Sequence, residues 1–443
     1  MTMDDDYKIF PRGKIFIEGS EIKKIGDFDL LPEDHYDEVF DADGLIILPG
    51  LVNTHVHTSQ QLGRGLGDDV PLLTWLIDRI WPYESNLNEH SSFISTLLCC
   101  LEMIKSGVTT FAEAGGQYVD GMGRGFKQAG IKGILAQSVM DIGEGLPSGW
   151  SKPVEALIED QTEIFNNWHN KAGERIKVWF GLRTIFNNSQ ELILRTKQTA
   201  DDLGVGVHMH VAEIPEENQK SIERNGLSTV RFLKTLGVLD SNFLAIHCVW
   251  MDEEEIEIFA EKGVKVSHNP ASALRVLGSP KIPEMMEKDI VVGLGTDGAP
   301  TNNRMNIVDE MWLTSLIHKG RLRNPTAMPA EDVLKMATIN GAKALNWENE
   351  IGSLVEGKKA DIIFIDPDSP NMLPVHDIIA NLVTAMNSEN IKHLICDGSW
   401  VMKDREVLTI DEENLYKEVK EVAGFIREKI GYHSPDRFKK FKG

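Results

Sequence analysis

The sequence predicts a distorted (β/α)8 barrel, the TIM-barrel fold, joined to a composite β-sandwich that both ends of the chain build together. Short apolar runs alternate with helical patterns over residues 51–352, which is typical of parallel strands joined by crossover helices. Residues 1–50 and 353–443 instead show short strand patterns separated by glycine and aspartate turns. We therefore expect a barrel over 51–352 and a sandwich module made of 1–50 plus 353–443, which includes a C-terminal helix.

Eight segments have the length and composition of barrel strands. In chain order they cover residues 51–57, 108–113, 133–139, 177–182, 205–210, 243–247, 264–268 and 290–295. An apolar stripe predicts a helix over 89–106, and a second stripe predicts the C-terminal helix over 413–430. Asp252 and Glu255 have the spacing of a capping box, and Gly263 is placed to end the helix that they begin.

The amino-acid composition indicates a folded protein and excludes several classes of partner. Hydrophobic residues make up 42% of the 443, which is enough for a large core. The formal net charge of −22 argues against nucleic acid or a membrane surface as a partner. The 4 cysteines have no zinc-finger or disulfide spacing, and the acidic N-terminus lacks an apolar signal core. These features predict a cytoplasmic protein, and no run is long enough to span a bilayer.

Histidines and carboxylates collect at the carboxyl ends of the predicted barrel strands, where this fold places its functional side chains. If residues 51–57 form a strand, its alternation puts His55 and His57 on one face. The other members of this group, in chain order after strands five to eight, are His210, Glu213, His247, His268 and Asp297. Three imidazoles and a carboxylate suit a divalent ion such as Zn²⁺ or Fe²⁺, which brings the pKa of a water down to roughly 7. Glu213 and Asp297 are the candidates to carry the proton.

Some of these residues have a second interpretation. His208 shares a face with His210, and either could bind the metal, although the spacing to Glu213 favours His210. His268 is as consistent with a structural turn as with a site residue, and Glu113 could support a ligand or act as a catalyst. Two histidines in helical stretches are expected at the surface: His169 and His318.

The motifs resemble those of the amidohydrolase superfamily, in its cytosine-deaminase-like branch of atrazine and triazine hydrolases. The matching segments, spread between Leu48 and Asp366, are Pro49–His57, His208–Glu213, Ala245–Cys248, Ser267–Ser272 and Gly293–Gly298. The resemblance implies four metal ligands and a composite β-sandwich; the ligands are His55, His57, His210 and Asp297. It implies that Glu213 is the proton shuttle and that His247 polarises the attacked centre or orients the water, with Asp297 as a third catalytic residue.

The resemblance also bears on the number of metal ions. Binuclear members of the superfamily carry a carboxylated lysine at the end of the fourth strand, where this sequence reads Phe180–Thr184 and has no lysine. We therefore expect one divalent ion per chain, with Zn²⁺ ahead of Fe²⁺. We also expect a homo-oligomer.

Within this branch the sequence most resembles the methylthioadenosine/S-adenosylhomocysteine deaminases, with melamine deaminases and triazine hydrolases as neighbours. Trp75, Ile80–Glu84 and Gly298–Asn303 match nucleoside deaminases, in which the glutamate corresponding to Glu84 holds the ribose hydroxyls. The Pro-His-x-Pro-Tyr turn of the family is replaced by Leu182–Phe186. The residues expected to bind substrate are Trp75, Glu84, Arg183, His268 and Asn302.

These matches imply a hydrolytic deaminase that takes an aminated N-heterocycle and water as its partners. The first expectation for the substrate is an adenosine-type nucleoside such as S-adenosylhomocysteine or methylthioadenosine. The alternatives are a triazine-type hydrolase, which deaminates melamine or removes chloride, and a guanine-type deaminase. A non-catalytic scaffold is a remote alternative, because none of the implied ligands is missing from the sequence.

Overall fold

The computed structural model describes residues 1–4, 6–27 and 36–431. Its strands are β1 (Gly13–Glu18), β2 (Glu21–Asp27), β3 (Ile46–Pro49), β4 (Leu51–Val56), β5 (Val108–Glu113), β6 (Lys132–Leu135), β7 (Ser138–Val139), β8 (Ile176–Val178), β9 (Phe180–Leu182), β10 (Val207–Val211), β11 (Phe243–His247), β12 (Lys265–His268), β13 (Val292–Leu294), β14 (Ile362–Ile365), β15 (Ile391–Cys396), β16 (Ser399–Lys403) and β17 (Glu406–Val407).

Its helices are α1 (Leu72–Trp75), α2 (Trp81–Glu84), α3 (Glu89–Lys105), α4 (Val119–Ala129), α5 (Val154–Trp168), α6 (Gln190–Asp202), α7 (Pro215–Asn225), α8 (Thr229–Leu236), α9 (Glu253–Lys262), α10 (Pro270–Ser272), α11 (Ile282–Met286), α12 (Ala299–Asn302), α13 (Ile307–Leu322), α14 (Ala330–Met336), α15 (Ile339–Ala344), α16 (Ile378–Thr384) and α17 (Glu412–Lys429). Short 3-10 turns and π-turns lie beside some of them. None of the helices in the described part of the chain combines the length and the apolar character that a membrane span requires.

The barrel strands form two parallel sheets, ordered β4-β5-β6-β8 and β13-β12-β11-β10-β9-β7. The third and fourth predicted strands are each divided in two, so that β6 pairs with β8 in one sheet and β7 pairs with β9 in the other. At the remaining seam, Thr54 Oγ1 donates to Leu294 O at 2.9 Å and Thr296 N donates to His55 O at 3.1 Å. All eight predicted segments therefore contain observed strands, in the order of a distorted (β/α)8 barrel.

An antiparallel sheet combines strands from both ends of the chain, in the order β17-β16-β15-β14-β3. Strand β3 precedes the barrel and pairs with β14, which follows it. The β1–β2 hairpin packs beside this sheet, with Ile22 N donating to Lys358 O at 2.8 Å. The proposed boundaries, 1–50 with 353–443 around 51–352, stay a prediction; residues 28–35 and 432–443 lie outside the described part.

Local signals determine where several helices begin and end. The side chains of Asp252 and Glu255 form the predicted capping box at the start of α9, and Gly263 ends that helix in the left-handed conformation, with a φ of 68°. The helices α3 and α17 lie within one residue of their predicted bounds. These helices pack outside the strands and leave the carboxyl ends of the barrel strands to carry the polar side chains.

Candidate metal centre and active site

The four predicted ligands meet at the carboxyl end of the barrel. One ring nitrogen each from His55, His57 and His210 lie within 4.8 Å of one another, and the same limit holds for ligand atoms of His55, His247 and Asp297. The Nε2 atoms of His55 and His57 are each 3.6 Å from Asp297 Oδ1. All five side chains are buried.

Two of these histidines, His57 and His210, are held in the neutral form that binds metal ions. Burial, reinforced by the charge of Arg183, keeps the pKa of His57 and of His210 well below the usual value. His210 Nδ1 lies 2.9 Å from the backbone carbonyl of Arg183, which leaves Nε2 as its ligand atom. His55 Nε2 and His57 Nδ1 are buried without a hydrogen-bond partner among the described residues. Buried polar atoms left unpartnered are costly, so this donor set fits a divalent ion.

Asp297 is oriented by its own turn and by the loop after β12. Gly298 N donates to Oδ1 at 2.6 Å, and the hydroxyl of Ser272 donates to Oδ2 at 2.6 Å. Burial alone would raise the pKa of Asp297, but the neighbouring histidines His55, His247 and His57 hold it well below its usual value. The carboxylate is therefore ionised and directed at the imidazoles.

Glu213 and His247 lie side by side next to the ligand cluster. His247 Nε2 is 3.5 Å from Glu213 Oε1 and 3.9 Å from Asp297 Oδ2. The amide of Asn269 donates to His247 Nδ1 at 3.2 Å, so that the proton of the neutral ring is on Nε2. Burial lowers the pKa of His247 to about 3. Burial, together with the charges of Glu217 and Asp297, raises the pKa of Glu213 to about 8, so this carboxyl group holds a proton at neutral pH.

The backbone at several of these strand ends adopts a strained conformation, which determines the direction of the side chains. Four non-glycine residues at strand ends have left-handed φ angles: Ala212 (52°), His247 (73°), Cys248 (51°) and Asp297 (62°). Such conformations cost energy for residues with a Cβ atom and collect at functional sites. The chain maintains them at the positions where the fifth, sixth and eighth strands end.

Three of the predicted substrate-binding residues have polar groups available to a ligand. Glu84 and Arg183 are each 8% exposed. Glu84 Oε1 accepts a hydrogen bond of 2.9 Å from Gln60, and its pKa is raised by burial, although Arg183 opposes this. Within the described ranges, the Arg183 guanidinium forms no hydrogen bond or ion pair, and the buried indole nitrogen of Trp75 has no partner.

The other two predicted substrate-binding residues are engaged by the protein. His268 Nε2 lies 3.3 Å from His318 Nε2. Asn302 Nδ2 donates to Thr296 O at 2.8 Å and to Glu310 Oε1 at 2.7 Å. These contacts favour the structural interpretation of His268, and a direct role for either residue in binding substrate stays a prediction.

The structure corrects one expectation and separates several alternatives. His318 is fully buried, not at the surface, because α13 packs this side chain against His268. His169 is only half-buried, and its Nδ1 accepts from Val178 N at 3.2 Å. His208 Nε2 faces Ala114 O at 3.2 Å, outside the ligand cluster.

Four residues orient the site through hydrogen bonds, and three of them, Asn269, Ser272 and Glu217, were not predicted as functional from the sequence. Glu113, considered in two roles, accepts from Thr58 N at 2.8 Å and so supports the turn after His57. Ser272 and Asn269 contact Asp297 and His247; both lie in the Ser267–Ser272 motif, which was the only signal for them. Glu217, four residues after Glu213, accepts from the backbone at Ala212 and Glu213.

Comparison with known proteins identifies the family. A profile described as "Amidohydrolase family" matches residues 46–401. The chain belongs to the amidohydrolase family. This amidohydrolase is 37% identical over 420 residues to a 5'-deoxyadenosine deaminase of Methanobrevibacter smithii, covering 94% of each chain. It is 36% identical over 424 residues to a 5-methylthioadenosine/S-adenosylhomocysteine deaminase of Thermoanaerobacter pseudethanolicus, covering 96% of each.

Solved structures share the fold of this amidohydrolase. An adenosine deaminase from Xanthomonas campestris with bound zinc superimposes with a TM-score of 0.92 at 24% identity, covering 97% of each chain. The atrazine chlorohydrolase of Arthrobacter aurescens TC1, complexed with zinc, gives a TM-score of 0.89 at 25% identity and covers 95% of this chain and 97% of that one. The predicted family and barrel fold are confirmed, as is a hydrolase acting on carbon–nitrogen bonds. The names of the relatives agree with the expected adenosine-type deaminase.

Proposed function

We propose that this amidohydrolase is a metal-dependent deaminase that hydrolytically removes ammonia from an adenosine-type nucleoside. S-adenosylhomocysteine, methylthioadenosine and 5'-deoxyadenosine are its candidate substrates, in line with the names of its relatives. The observation that carries the proposal is the position of Glu213, 3.5 Å from His247 and beside a cluster of three histidines and one aspartate. Hydrolysis at a ring carbon requires an activated water and a group that carries protons. Side chains that can bind a metal ion, with a carboxyl group beside them, meet both requirements.

The proposed cofactor is one divalent ion per chain, Zn²⁺ ahead of Fe²⁺. His55, His57, His210 and Asp297 would hold it. Bound there, the ion supplies Lewis acidity and lowers the pKa of a water from 15.7 towards about 7. The absence of a lysine between Phe180 and Thr184 supports a single ion.

The side chains divide the proton transfers between them. Glu213, which holds a proton, gives it to the ring nitrogen next to the carbon that carries the amine as the water oxygen bonds to that carbon. Glu213 takes one water proton in exchange. His247, neutral with its proton on Nε2, donates towards the water and keeps it against the ring carbon. The second water proton passes to the amine, the carbon–nitrogen bond breaks, and ammonia leaves while the ring carbon becomes a carbonyl. Acid–base help of this kind contributes about 10²–10⁴-fold in rate.

Recognition of the substrate is assigned to the side chains whose polar groups are available. The Glu84 carboxylate suits hydroxyl groups, and the Arg183 guanidinium suits an acceptor atom on the ring. Trp75 supplies an indole next to the loop at Gly67. His268 and Asn302, which are engaged by the protein, would act at most at the edge of the bound ligand.

We also propose that this protein is a homo-oligomer and that it functions in the cytoplasm. All four cysteines, Cys99, Cys100, Cys248 and Cys396, are free thiols, as suits a reducing compartment. Trp312 and Leu316, one turn apart on α13, are 46% and 47% exposed and would suit a subunit contact.

A guanine-type or triazine-type activity is the second candidate. Arg183 favours it, because its guanidinium, which has no partner in the part of the chain that the structure describes, would suit a ring carbonyl as well as a ring nitrogen. The similarity to the atrazine chlorohydrolase shows that the same fold accepts other leaving groups.

A substrate panel separates these candidates. Metal-loaded protein would be assayed for ammonia release from adenosine, 5'-deoxyadenosine, methylthioadenosine, S-adenosylhomocysteine, guanine and melamine, and for chloride release from atrazine. We expect the highest kcat/KM with one of the adenosine-type nucleosides. A higher value with guanine, melamine or atrazine would replace the proposed substrate class, and no release from any compound would overturn the deaminase.

Elemental analysis of protein purified without added metal tests the cofactor. One equivalent of a divalent ion per chain is expected, and its removal by a chelator should abolish turnover until Zn²⁺ or Fe²⁺ is returned. Two equivalents that are both required for activity would contradict the single-ion site.

A further inference from the structure

Glu217 is a buried carboxylate that points back at the turn carrying Glu213. It lies in the first turn of α7 and is 0% exposed. Its Oε1 accepts a hydrogen bond of 2.8 Å from Ala212 N, and its Oε2 accepts one of 2.8 Å from Glu213 N. Both oxygens of one carboxylate are therefore used to hold two successive backbone amides.

The turn that Glu217 holds is short and strained. Strand β10 ends at Val211 and α7 begins at Pro215, so that only residues 212–214 carry Glu213 between them. Ala212 has a φ of 52°, which a residue with a Cβ atom adopts at a cost. Without Glu217 the amides of Ala212 and Glu213 would be buried donors, each costing about 1–3 kcal/mol if left unpaired.

The same turn is connected to the one that carries His247. Cys248 N donates to Val211 O at 3.1 Å, and Trp250 N donates to Ala212 O at 2.8 Å. The carbonyl groups of this turn are thus fixed by the loop after β11, while its amides are fixed by Glu217. Together these contacts determine how Glu213 Oε1 comes to lie 3.5 Å from His247 Nε2.

We propose that Glu217 is a positioning residue for the deamination, which acts by fixing the backbone of Ala212 and Glu213 so that the Glu213 carboxyl group faces His247. The inference rests on the proposed role of Glu213 as the proton carrier. Charge-assisted hydrogen bonds to backbone amides are stronger and shorter than neutral ones. Such bonds from both amides would keep the backbone of this turn in a fixed position. Misplacing a catalytic group by about 1 Å can cost about a hundredfold in rate.

The chain offers a matched control on the same helix. Glu216 precedes Glu217 and is likewise an acidic residue in the first turn of α7, but its side chain is exposed. A general effect of negative charge at the helix N-terminus would be shared by both residues. Of these two glutamates, Glu217 is the one whose side chain accepts hydrogen bonds from the turn that carries Glu213.

A double-mutant cycle tests the inference. Glu217→Gln, Glu216→Gln, Glu213→Gln and the double variant Glu213→Gln/Glu217→Gln would be compared for kcat, KM and bound metal on the best nucleoside of the panel. Glu217→Gln should lower kcat about 10–100-fold with KM and metal content unchanged, as is usual when a group supporting a catalytic residue is lost. Glu216→Gln should match the parent. In the Glu213→Gln background the second substitution should cost nothing more, because Glu217 acts through Glu213.

The outcomes separate this inference from the function on which it rests. If the two losses multiply in the double variant, or if Glu217→Gln keeps the parental kcat or loses its metal, Glu217 is not a positioning residue for Glu213. If Glu213→Gln itself keeps full turnover, the proton-carrying role in the proposed function fails instead. Should Glu217→Gln not fold, Glu217→Asp replaces it in the same cycle, since it keeps the charge and withdraws the carboxylate by one methylene; a kcat loss that disappears in the Glu213→Gln background is again expected.

Discussion

The hydroxyl of Ser272 donates a hydrogen bond of 2.6 Å to Oδ2 of Asp297, whose Oδ1 faces the Nε2 atoms of His55 and His57. The loop after the seventh strand thereby orients a ligand that the eighth strand supplies. Such supporting contacts fix the direction of a ligand's lone pairs, and their loss typically weakens metal binding or activity 10–100-fold.

Ser272→Ala should therefore reduce the affinity for the divalent ion by about 10–100-fold while leaving the fold intact. The measurement is competition for the ion with a chelator of known affinity. Ser106→Ala is the control, because it also removes a buried hydroxyl, but one that hydrogen-bonds to Met103 O at the end of α3. Equal chelator resistance in the two variants would show that Ser272 does not support the ligand.

Glu213→Gln should keep its metal and lose most of its turnover. The amide is nearly isosteric with the carboxyl group but cannot carry the proton, and loss of acid–base help costs about 10²–10⁴-fold in rate. Bound metal and kcat at saturating substrate are the two quantities to measure, with Glu216→Gln alongside. Loss of the ion together with activity would make Glu213 a ligand or its support.

Lys132 joins the barrel to the antiparallel sheet. Its ammonium group, buried on β6, lies 2.6 Å from Asp361 Oδ1 and 3.3 Å from Asp397 Oδ1. Removing one partner of a buried ion pair leaves an uncompensated charge and costs about 3–5 kcal/mol. Lys132→Met should therefore lower the midpoint of urea unfolding markedly, whereas Lys127→Met, on the exposed side of α4, should not. Equal midpoints would mean that the pair contributes nothing to the free energy of unfolding.

The sequence could predict that these polar side chains meet at the strand ends, because that follows from local periodicity and from one rule of topology, whereas the choice of four ligands among them came from the family resemblance. Alternation puts His55 and His57 on one face, and parallel strands bring their carboxyl ends together, so His210 and Asp297 were expected there. Neither strand alternation nor barrel topology predicts contacts between side chains on different loops. Ser272 donates its hydrogen bond to a carboxylate on a residue with a φ of 62°, and no periodicity in the sequence encodes that backbone angle.

The burial of His318 could not be predicted for a related reason. Its position in a helical stretch suggested an exposed side chain, but the helix α13 places it against His268 at the end of the seventh strand. Which face of a helix is buried is decided by its neighbours, and a histidine on either face gives the same local pattern. Arg183 is buried as well, but its guanidinium has no hydrogen-bond or ion-pair partner among the described residues.

Arg183→Met should raise KM and leave kcat nearly unchanged, if the guanidinium contacts the ring equally in the ground and transition states. A hydrogen bond to a charged donor is worth about 1.5–3 kcal/mol, which corresponds to roughly ten- to a hundredfold in KM. The backbone carbonyl of Arg183, which orients His210, is retained in the variant, so bound metal should not change. Arg124→Met, on the exposed side of α4, is the control for a lost guanidinium.

Stability distinguishes this role from a structural one. Within the described residues the Arg183 guanidinium forms no ion pair, although it is only 8% exposed. A buried charge without a partner destabilises the folded state, so its replacement by methionine should leave Tm unchanged or raise it. Arg183→Lys, which keeps the charge but loses the planar fork, should also raise KM if two donors are used together. A variant that keeps its KM for the best substrate but has a lower Tm would show that Arg183 supports the fold. Replacing a residue that only binds ligand would not lower the Tm of the ligand-free protein.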